Sequence, residues 1–413
     1  MSDDGAPRPP IEVGLRRVTE LDPAAPLPDS EPRLLERIAA EIRAGGPMPF
    51  ARFMELALYD PEAGYYTGDP ATGGSPDRAA DAPKTGPGRA ADFLTAPESH
   101  PLYGWAVARH LESVWAAIDR PGRFVVREHG AGTGALAAGI LDGLRRSGST
   151  LLEAIRYQPV DAAPARLAAL RERVERLGLT DRLELFDDRP EAGVVLANEL
   201  LDALPVHRVE GGPDGALLER FVTLDADGGL ATELGPPSTP ALGARLAAEG
   251  IRLDRGQPAE ICLALEPWIG AAAATIDRGE LLLIDYGYPA AELYRPERGS
   301  TLRAYHRHRV HADPLVAVGR QDLTAHVDLT AVGRAAAAAG LVPLGSTTQA
   351  RFLAALEAGE LLVGLQSDPA TDLASYLEAR AALVRMLDPR ATGAFAVLGF
   401  GRGIDGTAIR GFG

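Results

Sequence analysis

The chain of 413 residues contains one cysteine, Cys262, and one lysine, Lys84. A lone thiol excludes an intramolecular disulfide framework and a multi-cysteine zinc site. No apolar run approaches membrane-spanning length, so no integral membrane contact is expected. The first residues, MSDDGAPRPP, have neither a secretory apolar region nor an arginine-rich transit helix, which makes the cytoplasm of a bacterial cell the expected location. Basic residues are outnumbered, 42 Lys+Arg against 57 Asp+Glu, for a formal charge of −15. That balance argues against a general nucleic-acid binder, which would carry a basic stripe. A cationic substrate would suit it, though solubility explains it better.

Hydrophobic content of 46% and charged content of 24% are those of an ordinary globular protein with room for a large core. Residues 1–30 carry many prolines and little periodicity, as a disordered lead would. Residues 31–120 read as a helical extension. Leu34, Leu35, Ile38 and Ile42 share one face of its first helix, and PFARFMELALYDPEAGYY forms a second that stops at Asp60-Pro61. A flexible loop, 68–91, precedes a third helix in HPLYGWAVARHLESVWAAI.

From Phe124 strands and helices alternate: strand Phe124–Glu128, helix Ala135–Arg146, strand Ala154–Val160, helix Pro164–Leu177, strand Arg182–Phe186, strand Val194–Ala197. The alternation predicts an α/β fold with a mostly parallel, Rossmann-like sheet over residues 121–413. Short strands and turns at 204–258 read as one insertion and the Gly/His/Arg-rich stretch at 287–326 as another. Helix Pro258–Ile276, strand Glu280–Tyr286, helix Asp328–Ala339, strand Leu341–Leu344 and a final strand in AFAVLGFGRG complete the pattern.

Ligands of such sheets sit outside the carboxyl ends of the strands. At one such end Gly130, Gly132 and Gly134 stand between a strand and a helix, where glycine permits a sharp turn and a close backbone approach to a ligand. The lysine of a nucleoside-triphosphate loop is missing. Gly130-x-Gly132-x-x-Ala135 satisfies the loose dinucleotide fingerprint. Glu128-x-Gly130-x-Gly132-x-Gly134 fits the first motif of class I methyltransferases that bind S-adenosylmethionine. Glu128 would repel a pyrophosphate and favour an ammonium and a sulfonium, so methyl transfer is preferred. Asp161, at the end of the next strand, could accept the ribose hydroxyls of either cofactor.

Six segments in order resemble the MidA family, which includes mitochondrial complex I assembly methyltransferases: DFLTAPE, EHGAGTGAL, ANELLDALPVHR, LLIDYGYP, GSTLRAYHRHRVHADPL and GRQDLTAHVDLTAV. The resemblance implies a class I fold with a seven-stranded sheet, S-adenosyl-L-methionine as cofactor, and methylation of an arginine in a protein. The family's target is a quinone-side core subunit of respiratory complex I. It also implies Thr95 and Asn198 as cofactor contacts. The chain departs from the family pattern at Ala91, Ser99, His100, Tyr103, Trp105 and His129, and carries Asp161 where glutamate is common. The changed segment ESHPLYGW supports a second reading, a small-molecule O- or N-methyltransferase. A non-catalytic assembly protein on the same fold is a third, against which the intact glycine turn speaks.

Strand GVVLA runs into Asn198, Glu199 and Asp202. A guanidinium stays protonated in water, with a pKa above about 12, and lacks a free lone pair. Carboxylates can grip it, aim one nitrogen and offset its charge as the proton leaves. Glu199 and Asp202 are the expected catalytic pair, with Asn198 orienting substrate or cofactor; Asp202 could equally cap the next turn. Tyr286, at the tip of strand five, could touch the acceptor. His306, His308, His311 and His326 fit no metal-ligand spacing, and Arg307 and Arg309 would repel a cation, so no metal is expected. That loop reads as a lid or peptide-docking surface, with His308 and His326 hydrogen-bonded near the active site.

Overall fold

The computed structural model describes residues 27–68, 95–306 and 309–412. The lead to residue 26, the loop at 69–94 and His308 lie outside the described residues. A six-stranded sheet organises the larger part. Its strands are β1 (Phe124–His129), β2 (Ile155–Val160), β3 (Glu191–Asn198), β4 (Ile276–Asp285), β5 (Val342–Thr348) and β6 (Ala396–Arg402). Their order is β5-β6-β4-β3-β1-β2. β1 pairs in parallel with β2 and β3, and β3 with β4, whereas β6 runs antiparallel between β4 and β5.

The expected strand at Arg182–Phe186 does not form. Only Leu183 bridges to Tyr157, so the described sheet has six strands rather than seven. Leu185 is 92% exposed and Phe186 44%, and a strand with no covered face gains little from pairing at a sheet edge.

Why the central strands are strands is plain from their faces. Val194 and Leu196 pack on one side, with helices α3 (Leu102–Ala117) and α4 (Ala135–Arg146). Val195 and Ala197 pack on the other, with α6 (Leu265–Ala274) and α7 (Leu329–Ala338). Helix α5 (Pro164–Glu175) lies beside α4. A side chain at Gly104 would meet the Gly139 backbone at 2.6 Å, which lets α3 and α4 touch backbone to backbone. Three helices that periodicity left unassigned, Gln349–Ala355, Ala358–Ser367 and Leu373–Leu387, cover α3 through Phe352, Leu353 and Leu383.

A second sheet stands beside the first. It is built from Met48–Pro49, Leu217–Leu224, His207–Gly211 and Pro258–Ile261, with Leu230–Gly235 paired to Leu217–Leu224. Helices α1 (Pro32–Gly45) and α2 (Phe50–Tyr59) pack Leu34, Ile38, Phe50 and Phe53 in one core with Val206 and Val222. The stretch 31–120 therefore divides between two cores, since α3 belongs to the main sheet. The expected helix Pro258–Ile276 is also corrected. Its first residues complete the second sheet against His207–Gly211, and the helix begins at Leu265. Between 287 and 326 the chain forms short strands, Arg303–His306, Arg309–His311 and Asp322–Thr324, and Leu302, Ala304 and Leu323 join the α1–α2 core. No helix among the described residues is long and apolar enough to cross a membrane.

Candidate active site

The carboxyl ends of β1, β2 and β3 open on a cleft of about 240 Å³, lined by Thr95, Glu128, Gly130, Gly132, Asp161, Asn198 and Glu199 among others. Each glycine of the turn after β1 has a positive φ, 73° at Gly130, 54° at Gly132 and 80° at Gly134, but the three have different neighbours. A Cβ at Gly134 would strike Leu170 of α5 at 2.5 Å, so this glycine serves packing and does not line the cleft. One at Gly130 would press on Leu200 at 3.1 Å. One at Gly132 would meet nothing nearer than the Gly130 carbonyl at 4.0 Å. Gly132 thus leaves a cradle that a side chain would fill.

Asp161 fastens this turn. Its carboxylate accepts the Gly132 N–H at 2.9 Å and the Ala163 N–H at 2.9 Å. Glu128 is buried beneath it and accepts the Tyr157 hydroxyl at 2.6 Å. Burial, with repulsion from Asp161 and Glu98, pushes Glu128 up to about 8. Burial thus favours the neutral acid near neutral pH, and a cation beside it would favour the carboxylate.

At the tip of β3, Glu199 adopts φ 53°, unusual for a residue with a side chain. Its N–H donates to the Ile284 carbonyl at 2.8 Å, which keeps β3 pinned to β4 while the chain turns away. The turn that follows is held by Asp285, whose Oδ2 accepts the N–H groups of Leu200 (3.1 Å), Leu201 (2.8 Å) and Asp202 (3.3 Å). Asn198 lies between, accepting the Tyr103 hydroxyl at 2.8 Å and donating to Glu199 at 3.2 Å. Desolvation and the neighbouring Asp202 push Glu199 up to about 8, offset in part by Asn198 and the Ala96 backbone.

Asp202 does not share the cleft with Glu199. The short turn Leu201–Ala203 rotates it inward, where it is buried and hydrogen-bonded to Tyr286, and burial pushes it up to about 6. Tyr286 and His326 also lie away from the cleft lining. The Tyr286 ring packs between His326 at 5.3 Å and Phe395 at 5.2 Å. His326 is not hydrogen-bonded as expected: its Nδ1 is buried without a partner among the described residues, and burial lowers it to about 4. A second aromatic neighbour of His326 is Tyr288, at 5.5 Å. Among the described residues no group of His, Cys, Asp and Glu could hold a metal ion.

Among the lining residues that the sequence pattern does not single out are Tyr59, Tyr66, Arg166 and Trp268. Their signal is faint: two aromatics flank the stop of α2, and Arg166 is one of three arginines on α5. Asp285 had a clearer one, since it ends LLLID as Asn198 ends VVLAN. Of the departures from the family pattern, Ser99 turns back to the Ala96 carbonyl at 2.7 Å, His100 accepts the Leu102 N–H at 3.0 Å, and Trp105 donates to Asp142 at 2.9 Å. None of these three lines the cleft. His129 does line it, its ring set edge-on to Trp268 at 5.4 Å. Ala91 lies outside the described residues.

A family described as "Putative S-adenosyl-L-methionine-dependent methyltransferase" matches residues 106–347. A crystal structure of a Burkholderia thailandensis protein bound to S-adenosyl-homocysteine superposes with a TM-score of 0.80 at 36% identity, covering 92% of this chain and 96% of that one. A native structure of a protein from the same organism gives 0.78 at 35% identity, over 94% and 98%. The mitochondrial protein arginine methyltransferase NDUFAF7 homolog of Drosophila melanogaster is 28% identical over 348 residues, 78% of this chain and 74% of its own length. NDUFAF7 of Mus musculus is 28% identical over 351 residues, 78% and 73%. With the matched profile spanning more than half its length and the glycine cradle at the head of its sheet, the chain belongs to the S-adenosyl-L-methionine-dependent methyltransferases.

Proposed function

We propose that the protein methylates an arginine side chain of a protein, with Glu199 as the carboxylate that grips the guanidinium. The observation that carries this reading is Glu199 itself, a half-buried acid held in a left-handed conformation at the edge of the cleft that contains Gly132. The names of the NDUFAF7 relatives, protein arginine methyltransferases, agree with it. A first acceptor to test is the complex I subunit that the sequence resemblance implies.

S-adenosyl-L-methionine, when bound, supplies a methyl group on a sulfonium; transfer breaks the S–CH₃ bond, forms a C–N bond, and leaves S-adenosyl-homocysteine and a proton. The open space over Gly132 fits such a ligand, with Glu128 beneath it for positive charge and Asp161 for hydroxyls. Asp161 retains acceptor capacity beyond the two amides it already holds. Thr95 borders the same space, and Asn198, oriented by Tyr103, joins it to Glu199. Glu199 is the acid placed to hold the guanidinium and to offset its charge as a nitrogen loses its proton. Repulsion from Asp202 adds to burial in raising Glu199, and a bound cation would offset both.

The small-molecule reading is less favoured, because Ser99, His100 and Trp105 bond to Ala96, Leu102 and Asp142 and none of the three lines the cleft. Incubation of the protein with methyl-labelled cofactor and a cell extract tests the proposal. Label is expected on arginine of a protein band. Label in a soluble metabolite and in no protein overturns it.

A further inference from the structure

Two rings of the cleft remain without a role. Tyr59, the last residue of α2, and Tyr66 stack at 5.6 Å with 27° between their planes, and both line the cleft. Their hydroxyls are committed elsewhere. Tyr59 donates to the Ala203 carbonyl at 3.0 Å, which places this pair beside the turn that carries Glu199. Tyr66 donates to Asp322 Oδ1 at 2.7 Å. Tyr65 buttresses Tyr66 edge-on at 5.0 Å. Burial chiefly, and after it the neighbouring Asp322 and Asp202, raise the two phenols, so the pair has acidic neighbours. An electron-rich ring pair in a negative field attracts a cation.

One cation is already there. The Arg166 guanidinium lies over the Tyr66 ring, 4.9 Å from its centroid. Arg166 stands on the first turn of α5, is only partly buried, and has no ion pair among the described residues. Among the described residues no carboxylate holds it, so its outward movement breaks no ion pair there.

We propose that the Tyr59–Tyr66 pair is the face on which the acceptor's guanidinium rests, and that Arg166 occupies it until the acceptor arrives. The inference builds on the reading of the acceptor as arginine. Glu199 then grips the edge of the guanidinium while the rings meet its plane, two contacts that together fix both position and tilt. Lysine, with a compact ammonium, would satisfy the rings but not the planar grip.

Arginine amide and its neutral counterpart, citrulline amide, are the probes, titrated by NMR in the presence of S-adenosyl-homocysteine. Arginine amide is expected to bind and citrulline amide to bind roughly ten-fold more weakly or not at all. Tyr66→Phe keeps the ring and should retain arginine amide, whereas Tyr66→Leu should weaken it by about three- to thirty-fold. Arg166→Ala should tighten it, because the competing guanidinium is gone. S-adenosyl-homocysteine affinity should stay within a few-fold in all three variants.

Equal binding of the two amides, unchanged binding in Tyr66→Leu, or weaker binding in Arg166→Ala overturns the inference. So does loss of S-adenosyl-homocysteine in Tyr66→Leu with Tyr66→Phe intact, which would give the rings to the adenine instead. Should Tyr66→Leu fail to fold, the Arg166→Ala result decides alone. If arginine amide binds as expected while the extract labels no protein arginine, the acceptor reading fails and the cation-binding face stands.

Discussion

The Tyr103 hydroxyl donates a 2.8 Å hydrogen bond to Oδ1 of Asn198. This contact decides which way the amide faces and leaves its Nδ2 to donate to Glu199. A hydroxyl at a position where the chain departs from its family pattern therefore orients Asn198 at the tip of β3. Tyr103→Phe preserves volume and strips Asn198 of its donor. Chemical denaturation should report a loss of about 1–2 kcal/mol, and methyl transfer should fall several-fold with cofactor affinity little changed. An unchanged rate would make Tyr103 a packing residue only.

Gly132→Val should abolish cofactor binding. The valine side chain would enter the space above the turn, where the nearest atom to a Cβ is 4.0 Å away, so the protein itself has no clash to relieve. The positive φ adds strain of about 1–2 kcal/mol, too little to unfold a large domain. Calorimetry with S-adenosyl-homocysteine is the measurement. Normal affinity would move the cofactor away from the turn.

Glu199→Gln keeps shape and removes charge. Cofactor affinity should hold while transfer to a cationic acceptor drops by about two orders of magnitude or more. The wild-type profile adds a sign. Burial holds Glu199 neutral below about 8, so kcat/KM should rise with pH toward that value as the carboxylate appears. The rising limb should flatten in the Gln variant. A profile identical in both proteins would separate Glu199 from the chemistry.

Stability should respond to pH in the opposite direction. Glu128 and Glu199 have folded-state values near 8, well above those of an unfolded chain, so the fold binds more protons than the unfolded state between about 4.5 and 8. Their contribution is full below the unfolded value and is lost as pH rises through the folded one. The melting temperature of the ligand-free protein should therefore fall more steeply across this window than that of the Glu128→Gln, Glu199→Gln double variant. Parallel curves would place both acids in water-like surroundings.

Asp285 accepts three consecutive turn amides. Asp285→Ala leaves them buried without partners, each costing about 1–3 kcal/mol if water does not enter. Asp285→Asn retains one acceptor oxygen and should recover much of the stability. Both should lower the transfer rate by releasing the 200–202 turn beside Glu199, and urea unfolding paired with turnover distinguishes them.

By itself the sequence determined the α/β alternation, the glycine turn and the acid and amide at the strand tips. These are local: an apolar run of strand length, a turn that needs positive φ, and a polar group where the run ends can all be recognised within a few residues. The tertiary structure decided the rest. Pro258–Ile261 became strand because His207–Gly211 supplied a partner, and Arg182–Phe186 lost its strand because nothing covered Leu185. Asp202 and Glu199 stand three residues apart in the chain, yet one short turn sends the first inward and leaves the second at the cleft. Tyr59, Tyr66 and Arg166 reach the cleft, and Asp285 the turn beside it, from three distant stretches of the chain. Burial set their partners and moved the acids' protonation, and burial depends on packing that no local pattern encodes.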